Sequence, residues 1–330
     1  MQLEKVNNLL IVRLSSLGDI LLTTPLIRAI KKNYPNIKID FLLREEYYDL
    51  LKFNPNIENI ITINRDKNRL RGLKNQICIS NYDFVIDLQN NLRSFSLLKC
   101  YGSSVASFKK KNLAKFLLVN FKINRLKNKL PIPVRYAQSV EGIKLDENGL
   151  DLITDKGPNR ILENNVRLIG LCPGAKHFTK MWPEEYFVDL GKLLEKNNYT
   201  VVLFGGKNDK QVCENIASEL SSPINLCNDD DIFQTAADMK KCLLLYCNDS
   251  GLMHTAAAMN VPVIAFFGST VQEFGFIPYN TKYIILENES LSCRPCSHIG
   301  RSRCPKKHFK CMKEILPEQA FQKMNTFIRQ

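Results

Sequence analysis

The feature that most constrains this chain is an alternation that runs twice. A short apolar run leads into a turn of small and polar residues, and an amphipathic segment at helical spacing follows. In the first half NNLLIVRL, KIDFLLR and YDFVIDLQ read as buried strands, and PLIRAIKKNYP carries Leu26, Ile27 and Ile30 at helical spacing. Either Thr24 caps that helix with Pro25 at its first position, or the helix begins at Gly18 and absorbs the proline as a kink. In the second half VRLIGLCPG, TVVLFGG, CLLLYC and VPVIAFFG read as strands. WPEEYFVDLGKLLEKNN, KQVCENIASEL and GLMHTAAAM are helices between them, and LPEQAFQKMNTFIRQ is a last helix. Short turns between strands and helices imply parallel sheets covered on both faces. With 330 residues, two cores are expected rather than one. The polar stretch DENGLDLITDKGPNRILENN reads as the connection, giving domains 1–155 and 156–313 and a helix 314–330 that packs back on the first domain. No internal repeat relates the halves.

The composition excludes some classes. Apolar and charged fractions of 45% and 24% are those of an ordinary globular protein, and the apolar runs fall short of a membrane span. Glu4 and Arg13 interrupt any signal-peptide pattern, so the expected location is the cytoplasm. Eleven scattered cysteines fit a reducing compartment better than a disulfide framework. The net charge of +13 is less ordinary, and it is local. Between Asp87 and Glu141 there is no acidic residue, whereas Arg93, Lys99, Lys109, Lys110, Lys111, Lys115, Lys122, Arg125, Lys127, Lys129 and Arg135 all fall there. Such a stretch is a solvated surface, or it attracts nucleic acid, anionic lipid or a phosphorylated substrate.

Ligands in open parallel sheets sit at the carboxyl ends of strands, which directs attention to the turns there. RLSSLGDILLTTP has Gly18 alone where a dinucleotide cradle has three glycines, and it sets Asp19 beside it. Asn248-Asp249-Ser250-Gly251 runs from a strand into a helix whose first amides and dipole favour an anion, with His254 one turn in. The plainer alternative is a cap by Asp249 or Ser250 with His254 on a packed face. PGAKHFTKMWPEEYF supplies Lys176, His177, Thr179 and Lys180, and a lysine here can neutralise a leaving diphosphate without a metal. Trp182 is expected to anchor the following helix by packing. The Walker lysine motif is absent, which weighs against ATP hydrolysis. Cys293, Cys296, Cys304 and Cys311 make C-x2-C-x7-C-x6-C, with His298 and His308 nearby. That set can hold a structural zinc, although it lacks a second tight knuckle.

Taken together, RLSSLGDILLTTP, DFVIDLQNNLRS, PGAKHFTKMWPEEYF, NDSGLMHTAAAMNVPVIAFFGST and LSCRPCSHIGRSRCPKKHFKCM resemble glycosyltransferase family 9. That family includes the ADP-heptose:lipopolysaccharide heptosyltransferases, and the cysteine-rich tail is most like their heptosyltransferase II branch. The resemblance implies the α/β GT-B architecture, two Rossmann-like parallel-sheet domains facing across a cleft, with acceptor on the first and nucleotide sugar on the second. It implies an ADP-sugar donor, ADP-heptose, inversion at the anomeric carbon, an acceptor in the lipopolysaccharide inner core, and no required cofactor or catalytic metal. Asp19 matches the catalytic aspartate. A positioned carboxylate that accepts the proton of a sugar hydroxyl is worth about 10²–10⁴-fold in rate. Thr179, Lys180, Asp249, Ser250, Gly251 and His254 fall in the donor site, and Asp209 in the FGGKND turn is placed at the ribose. Ser16, Gly18, Gln89 and Arg93 are placed at the acceptor. The basic stretch then binds acceptor or the inner-membrane surface, with no nucleic-acid partner expected. Two alternatives stand beside this reading. One is a family-9 transferase for another nucleotide sugar or acceptor. The other is a zinc-containing nucleic-acid-binding protein, whose nearest recognition element, FKKKNLAKFLLVNF, reads instead as an amphipathic helix.

Overall fold

The computed structural model describes residues 3–64, 67–126, 128–163 and 167–328, so Lys127 of the basic stretch and the residues 164–165 of the connection lie outside it. The chain divides into two compact units, each built on a parallel sheet.

The first unit opens with β1 (Asn8–Val12), buried from Leu9 onward because its apolar run faces helices on both sides. The helix expected after it is split. A short α1 (Leu17–Leu21) is followed by α2 (Thr24–Asn33) with Pro25 in its first turn, so a helix does begin near Gly18 and a second restarts at the proline. Then come β2 (Lys38–Arg44), β3 (Asn59–Ile63), α3 (Lys67–Ile79), β4 (Phe84–Asp87), α4 (Leu92–Leu98) and β5 (Val105–Ser107). The chain next forms α5 (Asn112–Phe121), which groups with the second unit, and returns for α6 (Ile132–Ala137). The sheet order is β3-β2-β1-β4-β5, and Leu9 pairs with Ile39 on one side and Phe84 on the other. The carboxyl end of β1 is therefore a point where connections leave in opposite directions, the usual seat of a ligand.

The connection is partly fixed to this unit. Arg28 of α2 donates to both oxygens of Asp146 at 2.8 and 2.7 Å, to the Gly149 carbonyl at 2.9 Å and to Asp151. The Arg28 guanidinium holds the Asp146 carboxyl down at about 2. Cys78 at the end of α3 is bridged to Cys100, with Cα atoms 6.0 Å apart. Nine cysteines are free thiols, so the reading of scattered unpaired cysteines holds for those nine and fails for this pair.

The second unit contains β6 (Leu168–Cys172), α7 (Glu184–Lys196), β7 (Thr200–Leu203), α8 (Lys210–Ser218), β8 (Ile224–Asn225), α9 (Ile232–Met239) and β9 (Leu244–Asn248). It continues with α10 (Gly251–Ala258), β10 (Val263–Phe267), β11 (Tyr283–Glu287), α11 (Lys310–Lys313) and α12 (Pro317–Ile328). The order β11-β10-β9-β6-β7-β8 puts its switch point between β9 and β6. One face of the sheet packs Trp182, Phe187, Leu190 and Phe266, and the other packs Met239, Met253, Cys172 and Cys247. Trp182 anchors as expected: its ring stacks on Phe266 at 4.1 Å between centroids, and Nε1 donates to the Ile315 carbonyl.

The division differs from the expected domains in two respects. Residues 112–129 belong to the second unit, because Leu118 and Leu126 pack against Phe274 there. The last helix also belongs to it, since Ala320 and Met324 of α12 enter the core beside α7. The second unit otherwise starts at Thr154, close to the expected boundary.

Candidate functional site

The turn after β1 is organised around one carboxylate. Ser16 caps α1, and Asp19, three residues on, reaches back so that its Oδ2 accepts from the Ser16 backbone N–H at 3.1 Å and the Ser16 hydroxyl at 2.8 Å. Its Oδ1 lies 2.6 Å from the Arg13 guanidinium. Arg13 is in turn held by the Ser15 carbonyl at 2.9 Å and the Leu88 carbonyl at 2.7 Å, and it lies over the Tyr136 ring. Burial alone would favour the neutral acid, but Arg13 and the two Ser16 donors outweigh it and hold the Asp19 carboxyl below its ordinary value. The residue that closes the capping box behind Ser16 is thus also a carboxylate held ionised by Arg13.

The neighbouring turn after β4 supports this one. Gln89 Oε1 accepts from the backbone N–H groups of Leu14 and Ser15, at 2.9 and 3.3 Å. Asp87 in turn accepts from Gln89 N, Asn90 N and the Ser94 hydroxyl. Ser16, Gly18 and Gln89 are therefore brought together with Asp19, and Gln89 spends its oxygen on shaping the turn. Arg93 is exposed in the first turn of α4, whose cap is Asn91. Burial and the charge of Arg13 push the Lys110 pKa down, which places a second cation in the field of this turn.

In the second unit the turns after β6 and β9 are joined by one amide. Asn248 Nδ2 donates to the Pro173 carbonyl at 2.7 Å, and its Oδ1 accepts from Trp182 N at 2.9 Å. This brings Lys180 to Asp249, 2.8 Å apart, and Asp249 also accepts from the Thr270 hydroxyl at 2.7 Å. Asp249 is therefore engaged sideways and does not cap α10. Ser250 takes the cap position, but its hydroxyl makes no cap bond, and buried Oγ has no hydrogen-bond partner among the described residues. Gly251 opens the helix, and His254 is buried one turn in. Thr179 lies beneath, its hydroxyl 3.0 Å from that of Ser269 and accepting from Arg301 N at 2.8 Å. A Cβ on Gly268 would stand 2.8 Å from the Thr179 carbonyl, so the close approach of these loops requires glycine there. Asp209 lies against the turn after β6, where a Cβ on Gly174 would meet its carboxylate at 2.2 Å. It accepts from Gly206 N, and burial pushes its carboxyl pKa up.

The cysteine-rich tail does not form the expected metal set. Among the described residues no group of three or more His, Cys, Asp or Glu is arranged to hold a metal ion. Cys311 is buried in the core, which pushes its thiol up to about 12, and Cys304 packs against the same core. Both are used as small apolar side chains. Cys293 Sγ stands 3.9 Å from His308 Nε2. The order in this segment comes from Arg294, which the sequence reading missed. Its guanidinium donates to the carbonyls of Phe267, Gly268, Thr270 and Asn288, and pairs with Glu287 at 2.6 Å. It thereby fixes the end of β10, and with it the Thr270 hydroxyl that holds Asp249. Arg13 was missed in the same way. The only signal for either is an arginine inside an otherwise small or apolar motif, RLSSLGD or CRPC.

Residues 70–307 match the model for glycosyltransferase family 9 (heptosyltransferase). The chain is 27% identical to a lipooligosaccharide heptosyltransferase 2 of Campylobacter jejuni over 328 residues, 95% of this chain and 96% of that one. Its fold is similar to that of Escherichia coli ADP-heptose lps heptosyltransferase II, with a TM-score of 0.73, 21% identity and 98% of each chain covered. It is also similar to the E. coli heptosyltransferase WaaC solved with ADP, with a TM-score of 0.69, 19% identity and 97% and 99% covered. The two Rossmann-like sheets are those of the GT-B class, and the match runs through most of both units. The chain belongs to glycosyltransferase family 9, the heptosyltransferases, and is a glycosyltransferase.

Proposed function

We propose that this enzyme transfers a heptose from ADP-heptose to the inner core of lipopolysaccharide with inversion, and that Asp19 is its general base. The observation that carries the reading is the Asp19 turn: a carboxylate at a strand switch point, kept ionised by Arg13 and Ser16. An acceptor hydroxyl attacks the anomeric carbon while its proton passes to Asp19. The bond from that carbon to the diphosphate oxygen breaks, and ADP leaves with the electron pair. Lys180 supplies positive charge to the departing diphosphate, and the backbone N–H groups opening α10 at Gly251 donate to one of its oxygens. Asp249, fixed by Thr270, orients Lys180 and is available to a sugar hydroxyl. Thr179, Ser250 and His254 complete the donor turn, and Asp209 is placed for the ribose. Ser16, Gly18, Gln89 and Arg93 are assigned to the acceptor. None of these roles requires a cofactor.

The names of the relatives support the sugar and the acceptor, and the neighbour solved with ADP supports the nucleotide. An acceptor carried on a lipid is met at the inner membrane, and we place the enzyme at its cytoplasmic face. No helix among the described residues is long and apolar enough to cross a membrane.

The test is Asp19→Asn. Transfer should fall about 10²–10⁴-fold while the ADP dissociation constant stays within twofold. Equal loss of transfer and ADP binding would make Asp19 structural. A thermal-shift series with ADP, UDP, GDP and CDP tests the donor, since a ligand at a hundred times its Kd adds about 2.7 kcal/mol. Preference for UDP or GDP would leave Asp19 its role and overturn the heptose donor.

A further inference from the structure

We infer that the outer face of α5 is a docking surface for an anionic lipid bilayer. The inner face of this helix is accounted for: Leu118, Ala114 and Val119 pack with Phe274, Val271 and Phe276 of the second unit. The Lys122 ammonium, just past its end, donates to the carbonyls of Cys293 and Pro295 at 3.2 and 2.7 Å. The helix is thus seated firmly on the loop that follows Thr270. Its other face is apolar and uncovered. Leu113 is 69% exposed, Phe116 55% and Phe121 61%, and Ile123 beyond the helix is also exposed. The two phenylalanine rings meet edge to face with centroids 5.9 Å apart, so they form one wedge rather than two scattered side chains.

Charge selects the occupant. Within 112–129 the sequence has no acidic residue; Arg125, Lys127 and Lys129 follow the helix, while the Lys122 ammonium is bonded to the carbonyls of Cys293 and Pro295 and that of Lys115 lies over the Phe276 ring. Aromatic and leucine side chains flanked by cations are the composition of a helix lying in the plane of a membrane interface, the rings among the acyl chains and the ammonium groups among the phosphates. A protein partner with an acidic rim would also satisfy the charges, but Asn120, the polar side chain between the rings, turns its amide back to the Phe116 carbonyl at 2.9 Å and leaves little for such a partner to bond. A bilayer needs no such bond. The inference deepens the proposed function, because it rests on an acceptor that is presented in a membrane, and it names the element that brings the enzyme there.

The experiment is co-sedimentation of the whole protein with vesicles of phosphatidylethanolamine and phosphatidylglycerol, or of phosphatidylcholine alone. ADP binding is measured on the same samples. Wild type should sediment with the anionic vesicles at least tenfold more strongly than with the neutral ones, and lose most of that binding at 1 M salt, where the Debye length is about 3 Å. Phe116→Ser with Phe121→Ser should lower anionic-vesicle binding at least tenfold while leaving ADP binding unchanged. Leu113→Asn serves the same purpose should the double variant not fold. Equal binding by variant and wild type, or no preference for anionic vesicles, overturns the docking surface. So does a wild-type dimer in analytical ultracentrifugation that the double variant abolishes, since the face would then belong to a second copy of the chain. Failure of ADP binding in wild type would instead overturn the donor reading, whatever the vesicles show.

Discussion

At its candidate site each unit sets a carboxylate against a cation, and the two pairs are built differently. In the first, Arg13 has its fork committed on three sides, to Ser15, to Leu88 and to Asp19, and Asp19 has both oxygens engaged. In the second, Lys180 meets Asp249 through a single ammonium contact on a flexible stem. A guanidinium with fixed bonds sets geometry and ionisation, whereas an ammonium is a point charge that can turn toward an incoming anion. The difference matches the two proposed tasks: a base must be held in place and ionised when the acceptor arrives, and a phosphate ligand must be able to exchange partners. The first pair is a fixture and the second a switchable contact.

Removing Arg13 should break that distinction most severely. Arg13→Met leaves the Asp19 carboxylate half-enclosed without its partner, which costs about 3 kcal/mol by urea denaturation, the low end for a buried pair that loses one member. The pH dependence should change with it. The wild-type Asp19 pKa is depressed, so its contribution to stability is full above the ordinary carboxylate value and fades only as pH falls through the depressed one. In the variant burial is opposed by Ser16 alone, so the acid edge of both stability and transfer moves to higher pH. An unmoved edge would mean that Arg13 does not tune Asp19.

A smaller effect is expected at the switchable pair. Lys180→Met should weaken ADP binding by about 10–100-fold, as for loss of one charged hydrogen bond, and should also lower the urea midpoint, because the buried Asp249 carboxylate is left with Thr270 alone. A large fall in stability with intact ADP affinity would reverse the assignment and make Lys180 the fixture.

The smallest effect sharpens the comparison. Thr270→Val removes the neutral hydrogen bond to Asp249 and should cost about 1 kcal/mol of stability, with ADP affinity changed by no more than severalfold. A loss matching that of Lys180→Met would show that Asp249 must be held for Lys180 to act.

The sheets were legible where strands are buried on both sides. Leu9–Val12, Leu168–Cys172 and Val263–Phe267 read as continuous apolar runs because helices cover both faces. The edge strands were not: Asn59–Ile63 and Tyr283–Glu287 are half-exposed and carry no clean period. Asp19, Lys180 and the Asn248–Gly251 turn could be picked out because each sits in a short local motif. Arg13, Arg28 and Arg294 could not. Arg13 finds Leu88 at a separation of 75 residues, and Arg28 finds Asp146 at 118, so nothing local records the pairing. The excursion of 112–129 was hidden for the same reason, since the apolar spacing of α5 predicts a helix but not which core receives it.

The Asn248 amide has a consequence for how this enzyme can change over generations. With one end on Pro173 and the other on Trp182, it locks two loops that the chain makes far apart, so neither can shift alone. A mutation that moves the lysine turn moves the aspartate turn too, and its fitness depends on what the other already carries. Variation in the two stretches should be inherited in matched pairs, and grafting one of them from a distant relative should fail unless the other comes with it.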